Sequence, residues 1–156
     1  MFLLGTISIT ANTNSNLDLI KDINQEKIIK EQKCIAEMLW FEARGMPLQG
    51  KIDVLSVAYN RTKHKKFPST YCKVIEQPWQ YSYKQLKNLR FNLEGNNLHT
   101  TQIKELSYAA AIGEFKPSFS ADTVLYHGSA VNPNWNQKQI QKVQKRFGHV
   151  YYELRI

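Results

Sequence analysis

The segment from residue 35 to residue 47 places a carboxyl group on the apolar face of a predicted helix. Residues at i, i+3, i+4 and i+7 share one face of a helix, and four do so here: Ile35, Met38, Leu39 and Glu42. Gly45 and Pro47 follow, a pair that is typical of a helix end. The pattern therefore predicts Glu42 on the buried face, in the last turn of the helix.

Both features of this position favour the protonated form of Glu42. Burial raises the pKa of a carboxyl group, and the negative end of the helix dipole acts in the same direction. A glutamic acid that keeps its proton near neutral pH can serve as a general acid. The structural alternative is a buried glutamate paired with a basic residue such as Arg61. The spacing taken alone favours that alternative.

A second group of candidates lies in residues 76–83, where aromatic and amide side chains alternate with little periodicity. The segment contains Trp79, Tyr81 and Tyr83 together with Gln77 and Gln80. Aromatic rings stack on the apolar faces of pyranoses, and amides bind hydroxyl and acetamido groups. A sugar-binding surface and an aromatic loop that fills the core are equally compatible with this composition.

The elements that must position these residues are mainly helical. The pattern predicts helices at Leu17–Arg44 and Leu48–Arg61, and a third from Thr100 or Thr101 to about Gly113. Strand composition appears in Thr123–Tyr126 and Val150–Leu154. Residues 12–16 are predicted as a polar linker, and residues 132–135 as a turn. The sequence therefore predicts one α+β domain, a helical core with a small β region.

Charge and length limit the possible partners. The 156 residues carry a net charge of +8, which suits an anionic partner such as nucleic acid, a membrane surface or a cell wall. The four histidines are scattered, so we expect no metal site and no cofactor. Cys34 and Cys72 allow one bridge, but two free, buried thiols are the favoured interpretation.

The beginning of the chain reads differently from the rest. Residues 1–11 are weakly apolar, lack an early cation and are too short to span a bilayer. A poor signal sequence, an edge strand and a frayed terminus all remain open there. We divide the chain into an N-terminal extension, residues 1–25, and a catalytic domain, residues 26–156. We expect no transmembrane segment and a monomer.

Six motifs, in order between residues 34 and 152, resemble those of the SleB-like cell wall hydrolases, which include spore cortex-lytic enzymes and phage lysins. Each motif alone is weak, but six in register are fairly specific. They are Glu42-Ala-Arg-Gly45, Val57-Ala-Tyr-Asn-Arg61, Phe67-Pro68 with Cys72-Lys-Val-Ile75, Gln77 with Gln80-Tyr-Ser82, Asn132-Pro-Asn-Trp135 and Gly148-His-Val-Tyr-Tyr152.

The resemblance implies a lysozyme-like or lytic-transglycosylase-like fold, with a glycan cleft between a helical lobe and a β lobe. It implies an enzyme of the bacterial cell wall, bacterial or phage-encoded, that cuts between N-acetylmuramic acid and N-acetylglucosamine as a lytic transglycosylase. Glu42 would be the general acid and base. The expected substrate-binding residues are Gln80, Tyr81, Ser82, Tyr126 and Trp135, and the expected supporting residues are Arg44, Asn60, Arg61 and His149.

Two alternatives to this function remain. An N-acetylmuramoyl-L-alanine amidase with zinc would need a histidine and carboxylate ligand set, and the sequence shows none. A basic wall-binding module without catalysis explains the charge but not a glutamate on an apolar helix face. The interpretation names peptidoglycan, and not nucleic acid, as the partner. Asp53, the other carboxylate considered, is expected on a helix surface.

Overall fold

The computed structural model describes residues 10–155, with side chains from residue 15 onward. In this part of the chain four α-helices precede a small antiparallel sheet. The helices are α1 Thr10–Ala43, α2 Leu48–Lys63, α3 Tyr71–Ile75 and α4 Leu98–Ala111, and a 3-10 helix, Ser82–Gln85, lies between α3 and α4. The strands are β1 Thr123–Gly128, β2 Ile140–Arg146 and β3 His149–Leu154, in the spatial order β1-β3-β2. The predicted α+β class is confirmed.

The predicted helices are present, and their starts differ most. Residues 12–16 were expected as a linker, and this is wrong, because α1 begins at Thr10 and includes them. The cap of α4 is Asn97 and not a threonine, since its side chain accepts a hydrogen bond from the Thr100 amide at 3.0 Å. The helix α1 also runs unbroken past residue 25, and the division there stays a prediction. Most of the segment 1–11 lies outside the described residues.

The hydrophobic core fixes the position of the second half of α1 against α2. Ile35, Met38 and Leu39 are fully buried and belong to one cluster with Val54 and Leu55 of α2. Burying such a side chain is worth roughly 1.5–3 kcal/mol, so three of them in two turns fix the helix rotation. Glu42 continues this face where the helix leaves the core. None of the helices in residues 10–155 combines the length and apolar character needed to cross a membrane.

The strand β2 is not among the strands predicted from the sequence. Its residues between the two ends are exposed and mostly polar, so the strand has no apolar alternation to detect. It is an edge strand that carries Lys142 and Lys145, and lysine on an edge discourages pairing with other chains. The turn into β3 holds Phe147 and Gly148, both at positive φ, as a two-residue type I′ hairpin requires.

Asp53 is not on a helix surface, which corrects the sequence expectation. Its side chain is completely buried, and its two oxygens accept hydrogen bonds from Arg146 at 2.6 and 2.7 Å. Ser118 and Gln49 donate to the same carboxylate at 2.7 and 2.9 Å. Asp53 therefore ties the β2–β3 hairpin to α2 and is fully occupied by this structural role.

Two neighbouring side chains near the end of α2 hold the start of β1. Asn60 donates to the carbonyl oxygens of Ser120 at 2.7 Å and Thr123 at 3.0 Å. The Arg61 Nε atom donates to the carbonyl of Val124 at 2.7 Å. These bonds fix the strand that carries Tyr126 against the helix α2.

The two cysteines form a disulfide bond, so the expectation of free thiols is wrong. Cys34 on α1 and Cys72 on α3 are bonded across a sequence separation of 38 residues. Closing a loop of that length removes about 4 kcal/mol of conformational freedom from the unfolded chain in the loop-entropy account. The bond fixes α3 beside the buried half of α1.

Replacing both cysteines with alanine is expected to lower the free energy of unfolding by about 2–5 kcal/mol. Urea unfolding of the double variant, next to the oxidised and the reduced wild type, measures the effect. The reduced wild type should unfold near the double variant, and reductant should not change the double variant. An identical midpoint for oxidised and reduced wild type would contradict the expectation.

Candidate functional site

Glu42 opens onto a cleft of about 310 Å³ between the helical part and the sheet. The end of α1 supplies Glu42, and the segment from α3 into the 3-10 helix supplies one wall. The end of β1 and the connection to β2 supply the other wall. The lining residues are Glu42, Trp79, Gln80, Ser82, Gln85, Tyr126, His127, Gly128, Val131, Pro133 and Trp135.

The Glu42 carboxyl group is half-buried, and it accepts a hydrogen bond from Tyr126. The Tyr126 hydroxyl donates to Glu42 Oε2 at 2.9 Å. Burial raises the pKa of Glu42 above its ordinary value, and the Tyr126 hydrogen bond offsets part of this rise. Burial also raises the pKa of Tyr126 well above its usual range, so the phenol keeps its hydrogen. The site thus holds a carboxyl group with an increased tendency to be protonated.

The pairing of Glu42 with Arg61, the structural alternative, is not what the structure shows. The Arg61 side chain is buried, and its Nε atom donates to the Val124 carbonyl. Its guanidinium carbon lies 5.7 Å from the ring centre of Tyr81 and 5.3 Å from that of Phe67. Arg61 therefore supports the wall behind Glu42 and leaves the carboxyl group facing the cleft.

The β-side wall is an aromatic cluster built around His127. The His127 ring lies 5.5 Å from Trp135 and 5.4 Å from Tyr152, and Trp135 and Tyr152 meet edge to face at 5.6 Å. His127 Nδ1 is 2.7 Å from the Gly128 carbonyl, and Nε2 is 3.1 Å from the Tyr152 hydroxyl. Since a carbonyl only accepts, Nδ1 carries the hydrogen, and in the neutral ring Nε2 accepts from Tyr152.

Four of the five predicted substrate-binding residues line the cleft with Glu42: Gln80, Ser82, Tyr126 and Trp135. Tyr81 differs from the expectation, because it is only 1% exposed and fills the core beneath the wall. The backbone at Tyr81 is extended, so its side chain points away from those of its neighbours. The segment therefore contains both predicted kinds of residue: Gln80 lines the cleft, and Tyr81 fills the core.

The predicted supporting residues fall into two groups. Asn60 and Arg61 hold β1, as described above, and His149 packs edge to face against the Tyr126 ring at 5.0 Å. Arg44 is exposed, lies 5.0 Å from the centre of the Trp40 ring and does not line the cleft. Arg44 therefore has no contact here that would position Glu42.

His127 and Gln85 also line the cleft, although their residue types and spacing predict no role for either. His127 directly follows Tyr126 in β1, but a lone histidine in a strand carries no signal of a site. Its partner Tyr152 lies on β3, 25 residues away in sequence. In residues 10–155 no three His, Cys, Asp or Glu side chains are grouped so as to bind a metal ion.

The sequence profile of the cell wall hydrolase family matches residues 45–152. The chain belongs to the cell wall hydrolase family. The matched segment begins just after Glu42 and includes both walls of the cleft. This cell wall hydrolase is accordingly an enzyme of peptidoglycan degradation that acts on the cell wall.

Two solved structures are similar to this cell wall hydrolase in fold. The catalytic domain of Bacillus cereus SleB is 20% identical, with a TM-score of 0.57 over 78% of this chain and 88% of that one. The catalytic domain of the germination-specific lytic transglycosylase SleB from Bacillus anthracis is also 20% identical. Its TM-score is 0.58, over 78% of this chain and 92% of that one. The predicted lytic-transglycosylase-like fold is confirmed. Among curated proteins, none matches the chain in sequence.

Proposed function

We propose that this enzyme cleaves the glycan strand of peptidoglycan between N-acetylmuramic acid and N-acetylglucosamine, as a lytic transglycosylase with Glu42 as general acid and base. The observation that carries the proposal is the half-buried Glu42 carboxyl group, with its raised pKa, in the aromatic cleft. One structural neighbour, the SleB catalytic domain from Bacillus anthracis, is a lytic transglycosylase, and this supports the same chemistry.

The number of carboxyl groups in the cleft favours transglycosylation over ordinary hydrolysis. A typical glycosidase places two carboxylates across the scissile bond. Of the described residues that line the cleft, Glu42 alone carries one. Asp53 cannot serve as the second, because Arg146, Ser118 and Gln49 occupy its oxygens. A nucleophile must then come from the substrate, and the C6 hydroxyl of the muramic residue is in reach of its own C1.

The reaction then needs one proton-carrying group. Glu42 donates its proton to the glycosidic oxygen, the bond from C1 to that oxygen breaks, and the N-acetylglucosamine hydroxyl leaves. The C6 oxygen bonds to the oxocarbenium-like C1, and the C6 proton passes to the Glu42 carboxylate. The products are a 1,6-anhydromuramic end and a free hydroxyl, with no water consumed and Glu42 restored. Tyr126 holds Oε2 throughout, which leaves Oε1 for the proton transfer.

Mass analysis of the products from purified peptidoglycan tests the proposal. We expect 1,6-anhydro ends, in the presence of a strong chelator as well as in its absence. Reducing ends would indicate a hydrolase, and released stem peptides would indicate an amidase. A complete lack of products, with binding to the wall retained, would indicate a basic binding module.

Tyr126→Phe is expected to move the alkaline limb of the pH profile upward and to lower kcat. The hydroxyl stabilises the charged carboxylate and so lowers the pKa of Glu42, and its removal leaves the effect of burial unopposed. Loss of orientation should lower kcat about tenfold to a hundredfold. The measurement is kcat/KM against pH on soluble glycan strands.

Tyr152→Phe is the matched control for this prediction. It removes a hydroxyl that contacts His127, a lining residue of the same cleft, and not Glu42. The control should keep the wild-type position of the alkaline limb. If Tyr126→Phe also kept that position, the hydrogen bond to Glu42 would not tune the proton donor.

A further inference from the structure

Trp79 combines two features that a tryptophan rarely shows together. Its side chain is 84% exposed and borders the cleft that holds Glu42. Its backbone φ is 64°, in the left-handed region that residues with a bulky side chain seldom adopt. The adjacent aromatic residues of the segment, Tyr81 and Tyr83, are 1% and 6% exposed and serve the core.

The local turn shows why this position is unsuited to tryptophan. The Gln80 amide donates to the Gln77 carbonyl at 3.3 Å, which closes a four-residue turn. Pro78 occupies its second position and Trp79, at positive φ, its third. This is the pattern of a type II turn, whose third position normally takes glycine or asparagine. The tryptophan side chain at this position therefore makes the turn conformation less favourable than glycine or asparagine would.

Packing does not offset that cost, because an indole that is 84% exposed buries little apolar area. Strain that the fold does not need is characteristic of functional sites. The ring instead stands at the cleft, on the wall that α3 and the 3-10 helix supply. Trp135 belongs to the other wall, on the connection from β1 to β2. Two indole rings from separate segments therefore border the space in front of Glu42.

We propose that Trp79 is a pyranose-stacking platform that adds a sugar subsite to the cleft and increases affinity for longer glycan strands. The inference rests on the proposed function, since it takes the glycan as the ligand. Stacking needs only the apolar face of a sugar and the face of an aromatic ring. It is compatible with either sugar of the strand, so Trp79 sets the length of glycan that is bound and not the bond that is cut.

The test measures binding in the Glu42→Gln background, where turnover does not interfere. The probes are stem-free peptidoglycan oligosaccharides of two to eight sugars. Adding Trp79→Gly should weaken binding of the long oligomers about tenfold. Trp79→Phe, which keeps a ring, should retain most of the affinity. Because glycine suits the positive φ, the melting temperature should stay within about 2 °C of the parent or rise.

Phe147→Gly is the matched control. Phe147 is another aromatic residue at positive φ, 51°, but it lies in the β2–β3 turn and does not line the cleft. The control relieves the same kind of backbone strain and should leave glycan affinity unchanged. Equal binding by Trp79→Gly and its parent would overturn the proposal. So would a loss of affinity accompanied by a fall in melting temperature of more than about 5 °C without rescue by Trp79→Phe.

The outcome also separates this inference from the proposed function. If the wild type yields anhydro ends and Trp79→Gly binds as its parent does, only the stacking platform is wrong. If the wild type yields no glycan product but Trp79→Gly still weakens glycan binding, the platform stands and the proposed reaction fails.

Discussion

Glu42→Gln is expected to fold normally and to lose nearly all lytic activity. The amide keeps the shape of the side chain and can still accept the Tyr126 hydrogen bond, but it has no proton to give to the glycosidic oxygen. General acid catalysis typically contributes about 10²–10⁴-fold, so the loss in kcat should be at least of that order. The measurement is the rate of anhydro-end formation on purified peptidoglycan. More than a tenth of the wild-type rate would exclude Glu42 as the acid.

The same substitution is expected to stabilise the fold at neutral pH. The pKa of Glu42 is raised from 4.5, so between that value and the raised pKa the folded state binds more proton than the unfolded state. The free energy of unfolding therefore falls as pH rises through this window. Glutamine has no such dependence, so the stability of the variant relative to the wild type should increase as pH rises through the same window. Thermal unfolding at a series of pH values measures the gain.

Glu37→Gln is the matched control for the loss of activity. Glu37 lies on α1, pairs with Lys84 at 3.1 Å and does not line the cleft. Its loss should leave the rate of glycan cleavage close to wild type. If the two substitutions lowered the rate equally, the effect would be one of charge on α1 and not of proton donation at the cleft.

The sequence could predict Glu42 because its placement depends on local features. The i, i+3, i+4, i+7 spacing and the helix-ending Gly45 and Pro47 all lie within residues 35–47. The strands β1 and β3 were equally visible, since both are rich in β-branched and aromatic residues. Where the apolar pattern reports burial and the burial is local, sequence and structure agree.

The corrections at Asp53 and at the two cysteines have a different origin, because each depends on a partner far away in the chain. Asp53 looks like an exposed helix residue until Arg146, 93 positions later, folds over it. The cysteines are 38 positions apart, and no motif indicates their pairing. Tyr81 is a local case, because the turn at Trp79 and the extended backbone at Tyr81 decide which of the two aromatic rings is exposed. Composition cannot separate such cases.

The second large effect is expected at Arg146, the partner of Asp53. Arg146→Met should lower the free energy of unfolding by about 3–5 kcal/mol, because it leaves a completely buried carboxylate without its cation. The expected fall in melting temperature is roughly 10 °C. Lys145→Met is the matched control, since it removes an exposed cation from the adjacent position of β2 and should change stability by less than about 0.5 kcal/mol.

A second substitution at Asp53 distinguishes a stranded charge from a loss of packing. Asp53→Asn removes the charge but keeps groups that can bond to Ser118 and Gln49. Combined with Arg146→Met, it should therefore recover most of the stability that Arg146→Met loses. Urea unfolding of both single variants and the double variant gives the coupling energy. If the double variant were as unstable as the sum of the two single variants, the arginine would act through packing on Phe119 and Phe147, whose ring centres lie 5.5 and 5.8 Å from its guanidinium carbon, and not through Asp53.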